Sequence, residues 1–127
     1  MGLSNFAAWQ AEKAEGVSLK LNLSPVHAVQ PMYNLVKSLA EVEILPMSVD
    51  EGHSVMTYNP FAAGLLTGKY SKTRRPGTGR IVDNPMYALR YSGSFYFEAA
   101  ESLQLIQAVS GLNLPALLWT GLPRILR

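Results

Sequence analysis

The polar residues best suited to chemistry in this sequence lie directly after short apolar runs. Ser4 and Asn5 follow the first run, Gln30 follows the second, and Tyr58 with Asn59 closes the third. Hydroxyl and amide side chains both donate and accept hydrogen bonds, so together they can hold a primary carboxamide. A tyrosine ring beside them can stack on a flat ring. This combination suits a nicotinamide, which carries both groups.

Each of these residues also has an ordinary structural interpretation. Ser4 and Asn5 can cap the helix that follows them. Gln30 can be a hydrogen-bonded loop residue, and Tyr58 can belong to the core. Their shared position, each at the end of a strand in a series of strands, is what favours a binding role.

A second candidate feature is a cluster of positive charge in a nearly neutral protein of net charge +2. Five of the eleven basic residues lie in one stretch without an acidic residue: Lys69, Lys72, Arg74, Arg75 and Arg80. Such a stretch indicates either a phosphate-bearing ligand or simply a solvated loop, and composition alone favours the loop. A nucleic-acid interface would call for interleaved aromatic residues, which are missing here, so no nucleic-acid partner is expected.

The elements that must position these residues alternate along the chain. The pattern predicts strands at 2–6, 26–30 and 54–58, helices at 7–15, 33–47, 95–109 and 114–119, and a long loop at 62–83. Gly16 is expected to end the first helix and Gly111 the third, while Pro46 should distort or end the second unless Ser48–Glu51 continue it to a stop at Gly52. Alternation implies parallel strands with helical crossovers. Ser4, Gln30 and Tyr58 are 26 and 28 residues apart, the spacing of a β/α unit. An eightfold barrel needs about 250 residues, so this chain is predicted to form roughly half of one.

Composition excludes several other classes. The chain has 127 residues and no cysteine, which rules out a disulfide framework and a thiolate metal site. Two scattered histidines, His27 and His53, do not suggest a metal centre. No apolar run reaches the roughly 20 residues of a membrane span, and the N-terminus lacks the character of a signal peptide. We therefore expect a cytoplasmic protein without a membrane or metal partner.

Four segments resemble motifs of the aldo-keto reductase family. Gly2–Trp9 resembles its GxSNFxxW segment, and Val29–Asn34 resembles its QxxYN element. Glu41–Pro46 resembles its E-x-E-x-LP helix. Tyr58–Tyr70 is similar to its Y-[SN]-P-L-x-x-G-L-L-[TS]-G-K-Y block. The resemblance covers about residues 2–115 and is nearest to the general-stress-like, aflatoxin aldehyde reductase and potassium-channel beta-subunit branches.

The resemblance implies an NADPH-binding (β/α)8 TIM barrel, of which this chain would supply strands 5 to 7 with their helices. The family reduces aldehydes and ketones to alcohols by hydride transfer. By position, Ser4, Asn5 and Gln30 would hold the nicotinamide carboxamide, and Tyr58 would stack on the nicotinamide ring. The pyrophosphate tunnel would be lined by Asn59, Pro60, Phe61, Ala62 and Ala63. Lys69 and Arg80 would contact phosphates, and Arg80 would read the 2′-phosphate that distinguishes NADP from NAD.

The catalytic residues are expected elsewhere, because the family's Asp, Tyr, Lys and His tetrad comes from the first half of the barrel. The resemblance thus gives 1–119 as a C-terminal half-barrel with no catalytic residue, followed by an unmatched tail at 120–127. The isolated chain is predicted to be inactive until a complementary N-terminal half joins it. The alternative is a non-catalytic remnant, or a binding protein that keeps half of the barrel. Half a barrel leaves two open sheet edges and favours self-association, with Val26, Val29, Val55 and Met56 expected near the uncovered strip.

Overall fold

The computed structural model describes residues 1–111, 113 and 116. They form two compact units, one from residues 1–33 and 37–58, the other from residues 34–36 and the described residues from 59 onward. The tail at 120–127 lies outside the described residues, as does the helix predicted at 114–119 apart from residue 116.

The first unit is a small α/β layer. Its elements are β1 (Gly2–Ser4), α1 (Ala8–Lys20), β2 (Ala28–Gln30), a 3-10 turn (Leu39–Glu41), α2 (Ile44–Asp50) and β3 (Ser54–Val55). The strands form a parallel sheet in the order β1-β2-β3. The predicted parallel arrangement of three successive strands is therefore confirmed, although each strand is shorter than its apolar run.

The two faces of this sheet differ because strand side chains alternate. Leu3 and Val29 are in register and line a cavity with Ala8 and Met47, so α1 and α2 cover the same face of the sheet. The opposite face is open. It forms a recess of about 180 Å³ lined by residues of all three strand segments, namely Gly2, Leu3, Ser4, Ala28, Val29, Gln30 and Met56.

The expectation for the uncovered strip needs correction. Of the four apolar residues expected there, Val29 and Met56 line the recess, and of these only Met56 is exposed, at 61%. Val26 is buried, Val55 is half-buried, and neither lines the recess. Most side chains of the open recess are small or polar rather than branched and apolar. The error arose because the sequence does not reveal which alternate residues of a short strand face the helices.

Two helix boundaries in this unit also differ from the prediction. α1 continues through Gly16 to Lys20, since Gly16 does not adopt the left-handed conformation of a glycine cap. The predicted helix at 33–47 is replaced by the 3-10 turn and α2. Pro46 lies in the first turn of α2 and does not end the helix, which continues past it to Asp50, close to the expected stop at Gly52. A proline is tolerated there because the first backbone N–H groups of a helix have no intrahelical partner.

The second unit is helical in its described part. It contains a 3-10 segment (Ala62–Thr67), α3 (Arg80–Asp83), α4 (Pro85–Arg90) and α5 (Ser94–Ser110). The long loop predicted at 62–83 is therefore wrong at both ends, because helical turns occupy them. Gly111 ends α5 in the left-handed conformation, as predicted. The core of the unit consists of Leu65, Tyr70, Tyr91 and Phe97 with smaller residues between them.

A buried tyrosine in the first unit gives a pH-dependent prediction. The Tyr33 hydroxyl donates to the Glu41 carboxylate. Burial, the hydrogen bond and the charge of Glu41 raise the pKa of Tyr33 to about 12 from 10.0. Because the folded pKa lies above the unfolded one, this contribution to stability is complete below pH 10 and is lost as the pH rises towards 12. We expect Tyr33→Phe to be the less stable protein at pH 8, by about 1.5 to 3 kcal/mol.

Urea unfolding of both proteins at pH 8 and pH 11, followed by circular dichroism, tests this expectation. The difference in unfolding free energy between the two proteins should narrow at pH 11. Only the native chain has a tyrosine at position 33, and its ionisation in the unfolded state lowers the stability of that protein alone. An equal difference at both pH values would contradict the role given to Tyr33.

Candidate functional site

The carboxyl ends of the three strands carry a connected polar network within the first unit. The Ser4 hydroxyl donates to the Gln30 carbonyl and lies 3.2 Å from Gln30 Oε1. Asn5 Nδ2 donates to Ser4 Oγ at 3.3 Å, and the Tyr58 hydroxyl donates to Asn5 Oδ1 at 2.7 Å. The structure therefore brings together the four residues that the sequence suggested for a carboxamide and its ring.

The geometry decides between some of the alternative roles of these residues. The residue that caps α1 is Ala7, whose backbone N–H donates to the Gln10 side chain at 2.9 Å, so the cap role for Ser4 and Asn5 is wrong. Asn5 instead has a φ of 59°, a left-handed conformation that asparagine tolerates better than most residues. Ser4 and Asn5 are exposed and Tyr58 is partly exposed. Their polar groups are thus accessible to a ligand.

The loop after Tyr58 belongs to the second unit and has an unusual backbone. Asn59, Ala62 and Ala63 have φ values of 66°, 50° and 59°. Left-handed residues other than glycine are strained and persist only where surrounding contacts enforce them. Pro60 and Phe61 are partly exposed, whereas the side chains of Ala62 and Ala63 are buried. Ala62 and Ala63 are buried as whole residues, at 0% and 8% exposure, so a ligand at this loop would first meet Pro60 and Phe61.

Two buried residues that enforce this backbone were missed from the sequence. Asn59 Nδ2 donates to the Tyr91 hydroxyl at 2.9 Å. Asn34 Nδ2 donates to the Asn59 carbonyl at 3.0 Å. Asn34 stands in the QxxYN element and could have been noticed there, but no local pattern distinguishes Tyr91.

The structure divides the five basic residues of the stretch into two groups. Three make contacts within the second unit: Lys72 pairs with Glu98 at 3.0 Å, Arg74 donates to the Gly68 carbonyl, and the Arg75 guanidinium lies 3.8 Å from the centre of the Phe97 ring. Lys69 and Arg80 form no ion pair within the described part of the chain, and each lies 5.7 Å from the centre of a tyrosine ring, Tyr70 and Tyr87 respectively. The stretch is therefore not a uniformly solvated loop.

The absence of a side chain at Gly79 leaves room for the Lys69 ammonium beside the start of α3. A β-carbon at Gly79 would lie 2.8 Å from Lys69 Nζ and would overlap the Tyr70 hydroxyl. Gly79 also has a φ of 142°, which disfavours any side chain. Arg80 is the next residue and begins α3. The Lys69 ammonium therefore lies beside the residue that precedes Arg80.

Residues 1–111, with 113 and 116, contain no group of three acidic, histidine or cysteine side chains able to hold a metal ion. Over the same residues, no helix combines the length and the apolar character needed to cross a bilayer.

Comparison with known proteins gives a consistent result. The sequence model of the Aldo/keto reductase family matches residues 1–118. The chain is 32% identical to human aldo-keto reductase family 7 member A3, over 92% of this chain and 38% of the relative. It is 32% identical to mouse aflatoxin B1 aldehyde reductase member 2, over 91% and 33%. A probable voltage-gated potassium channel subunit beta of Arabidopsis thaliana is 36% identical over 64% and 25%.

A solved structure agrees with these sequence matches. A glycerol dehydrogenase from Gluconobacter oxydans superposes with a TM-score of 0.57 at 26% identity, and the match covers 87% of this chain and 32% of that one. The chain thus spans about a third of the length of those proteins that match nearly all of it.

Proposed function

This chain belongs to the aldo/keto reductase family, and on that premise we propose that it supplies the NADPH-binding, C-terminal half of a (β/α)8 barrel. The completed barrel would reduce an aldehyde or ketone to an alcohol in the cytoplasm. The dihydronicotinamide of the bound cofactor would supply the hydride. The residues of this chain would bind and orient that cofactor.

The strand-end network would hold the nicotinamide. The amides of Asn5 and Gln30 and the hydroxyl of Ser4 offer both donors and acceptors, which a primary carboxamide needs. Their mutual hydrogen bonds at 3.2 and 3.3 Å restrict the side chains before any ligand arrives. Tyr58, fixed through Asn5 at 2.7 Å, would offer its ring for stacking. Restricting these side chains in advance lowers the entropy lost on binding.

The single observation that carries the proposal is the state of Lys69 and Arg80. Lys72, Arg74 and Arg75 make an ion pair, a hydrogen bond and a close ring contact, whereas Lys69 and Arg80 only face tyrosine rings at 5.7 Å. Fixed cations of this kind suit phosphates, and guanidinium matches a phosphate in a bidentate manner. We assign Lys69 to the pyrophosphate together with the loop from Asn59 to Ala63, and Arg80 to the 2′-phosphate.

Calorimetric titration of the full chain with NADPH tests the proposed function. We expect saturable binding, and weaker binding of NADH, which lacks the 2′-phosphate. Calorimetry is preferred to fluorescence because Trp9 is 63% exposed and thus a poor reporter of a distant ligand. Absence of any binding heat with NADPH would refute the cofactor role.

The open face of the sheet leads to a prediction about assembly. Among the described residues, β1 and β3 each pair with β2 alone, and the exposed Met56 side chain lines the recess. Unpaired strand edges and uncovered sheet faces promote association. We expect the chain to dimerise or associate further at tens of micromolar unless a complementary half-barrel covers this face.

Size-exclusion chromatography with light scattering measures this association. Met56→Lys should shift the chain towards monomer, because a charge in the recess opposes its burial. Val49→Lys is the matched control, since Val49 is also exposed, at 76%, but lies on α2. A well-folded monomer in all three proteins would contradict the prediction.

A further inference from the structure

The buried contacts around Asn59 suggest a role for residues that lie outside the ligand site. Tyr91 has no exposed surface and Asn34 is 2% exposed. The Tyr91 hydroxyl accepts from Asn59 Nδ2 at 2.9 Å and from Asn34 Nδ2 at 3.4 Å. Two amide groups from distant parts of the sequence therefore meet at one phenolic oxygen.

These contacts determine the orientation of the Asn59 side chain. With Nδ2 directed at Tyr91, the carbonyl end of the amide accepts the Ala63 backbone N–H at 2.6 Å. The backbone carbonyl of Asn59 accepts a hydrogen bond from the Asn34 side chain. The same carbonyl also accepts the Ala62 N–H at 3.0 Å. Asn34 is itself oriented, because its Oδ1 accepts the Val36 N–H at 3.2 Å.

The result is a turn with three left-handed residues other than glycine, at Asn59, Ala62 and Ala63. The left-handed conformation is unfavourable for residues that carry a β-carbon, above all for the two alanines, so the turn requires external support to persist. Its supports are the amides of Asn34 and Asn59, and the Tyr91 oxygen is where those amides meet.

We propose that Tyr91 and Asn34 are positioning residues that hold the 59–63 loop in the backbone conformation needed to line the cofactor pyrophosphate. This inference rests on the proposed function, since the loop's ligand is the cofactor assigned there. Neither residue touches the cofactor; both act through Asn59.

Tyr91→Phe tests the proposal while keeping the ring, which contacts Tyr96 edge-on at 5.2 Å between centroids. Tyr70→Phe is the matched control. Tyr70 is equally buried in the same core, and its hydroxyl has no hydrogen-bond partner among the described residues. Both substitutions remove one buried hydroxyl, but only the first removes the acceptor of the two amides.

The first measurement is amide hydrogen exchange of the full chain without ligand. We expect the Ala63 amide to exchange about tenfold faster in Tyr91→Phe, the change that loss of one ordinary hydrogen bond produces. Exchange in Tyr70→Phe should match the native chain. Equal Ala63 exchange in all three proteins would overturn the positioning role whether or not a cofactor binds.

The second measurement compares NADPH with 2′,5′-ADP, which keeps the 2′-phosphate and lacks the pyrophosphate bridge. Tyr91→Phe should weaken NADPH binding about tenfold and 2′,5′-ADP binding less than about twofold. A structural defect of the whole unit would weaken both ligands alike, and that outcome would overturn the proposal. Failure of the native chain to bind NADPH would instead refute the proposed function, and unaltered NADPH binding by Tyr91→Phe would refute only the positioning role.

Discussion

Replacing Arg80 by alanine is expected to weaken NADPH binding by roughly ten- to a hundredfold and to leave NADH binding nearly unchanged. The guanidinium has a planar fork of donors suited to a phosphate dianion, and only NADPH carries the 2′-phosphate. Arg80 is exposed and lies 5.7 Å from the centre of the Tyr87 ring, and it has no acidic partner among the described residues. Its charge is therefore available to a ligand.

Two controls define the Arg80 experiment. Lys69→Ala should weaken NADPH and NADH together, because both cofactors carry the pyrophosphate. Arg75→Ala removes the same charge from the same stretch, but its guanidinium lies over Phe97. It should leave the preference for NADPH intact. If Arg80→Ala weakened both cofactors equally in calorimetric titrations, Arg80 would not be the residue that reads the 2′-phosphate.

The chain on its own is expected to show no turnover of NADPH with a reactive aromatic aldehyde. Hydride transfer to a carbonyl requires a proton donor at the oxygen and polarising groups around it. The family resemblance assigns these to a tetrad outside the matched elements. Loss of a general acid together with electrostatic stabilisation removes several orders of magnitude in rate.

The loss of NADPH absorbance measures this turnover, with a full-length relative as the positive control. The protein must be free of host reductases, and a heat-treated sample sets the background. Turnover above that background would mean that the active site has been misplaced. Cofactor binding without turnover agrees with both a half-enzyme and a non-catalytic binding protein. Addition of a complementary half distinguishes these two, because only the half-enzyme should then gain turnover.

The order and direction of the strands could be predicted because they depend on alternation, which the sequence displays directly. Runs ending at Ser4, Gln30 and Tyr58 alternate with helical segments, and parallel pairing follows from that order. The boundaries could not be predicted as well. Pro46 seemed to end a helix, yet it stands in the first turn of α2, and only tertiary packing decides where that turn begins.

The residues of the candidate site likewise include some that the sequence could predict and some that it could not. Residues at strand ends, such as Asn5 and Tyr58, could be found because parallel strands finish at one edge. Tyr91 could not, since its partners Asn34 and Asn59 are 57 and 32 residues away. A buried hydrogen bond over such a distance leaves no periodic trace in the sequence.

The assignment of residues 34–36 to the second unit affects the order in which the chain can fold. On the ribosome, Asn34 emerges long before Tyr91 and Asn59, so its amide must remain solvated until the remainder of that unit has been synthesised. Residues 34–36 interrupt the sequence of the first unit, and they reach their final contacts only when the second unit folds. Contacts with so large a sequence separation form slowly, because the loop-closure entropy is lost before the contacts compensate for it. We therefore expect the Asn34 contacts to form late in the folding of the second unit, after Tyr91 has been synthesised.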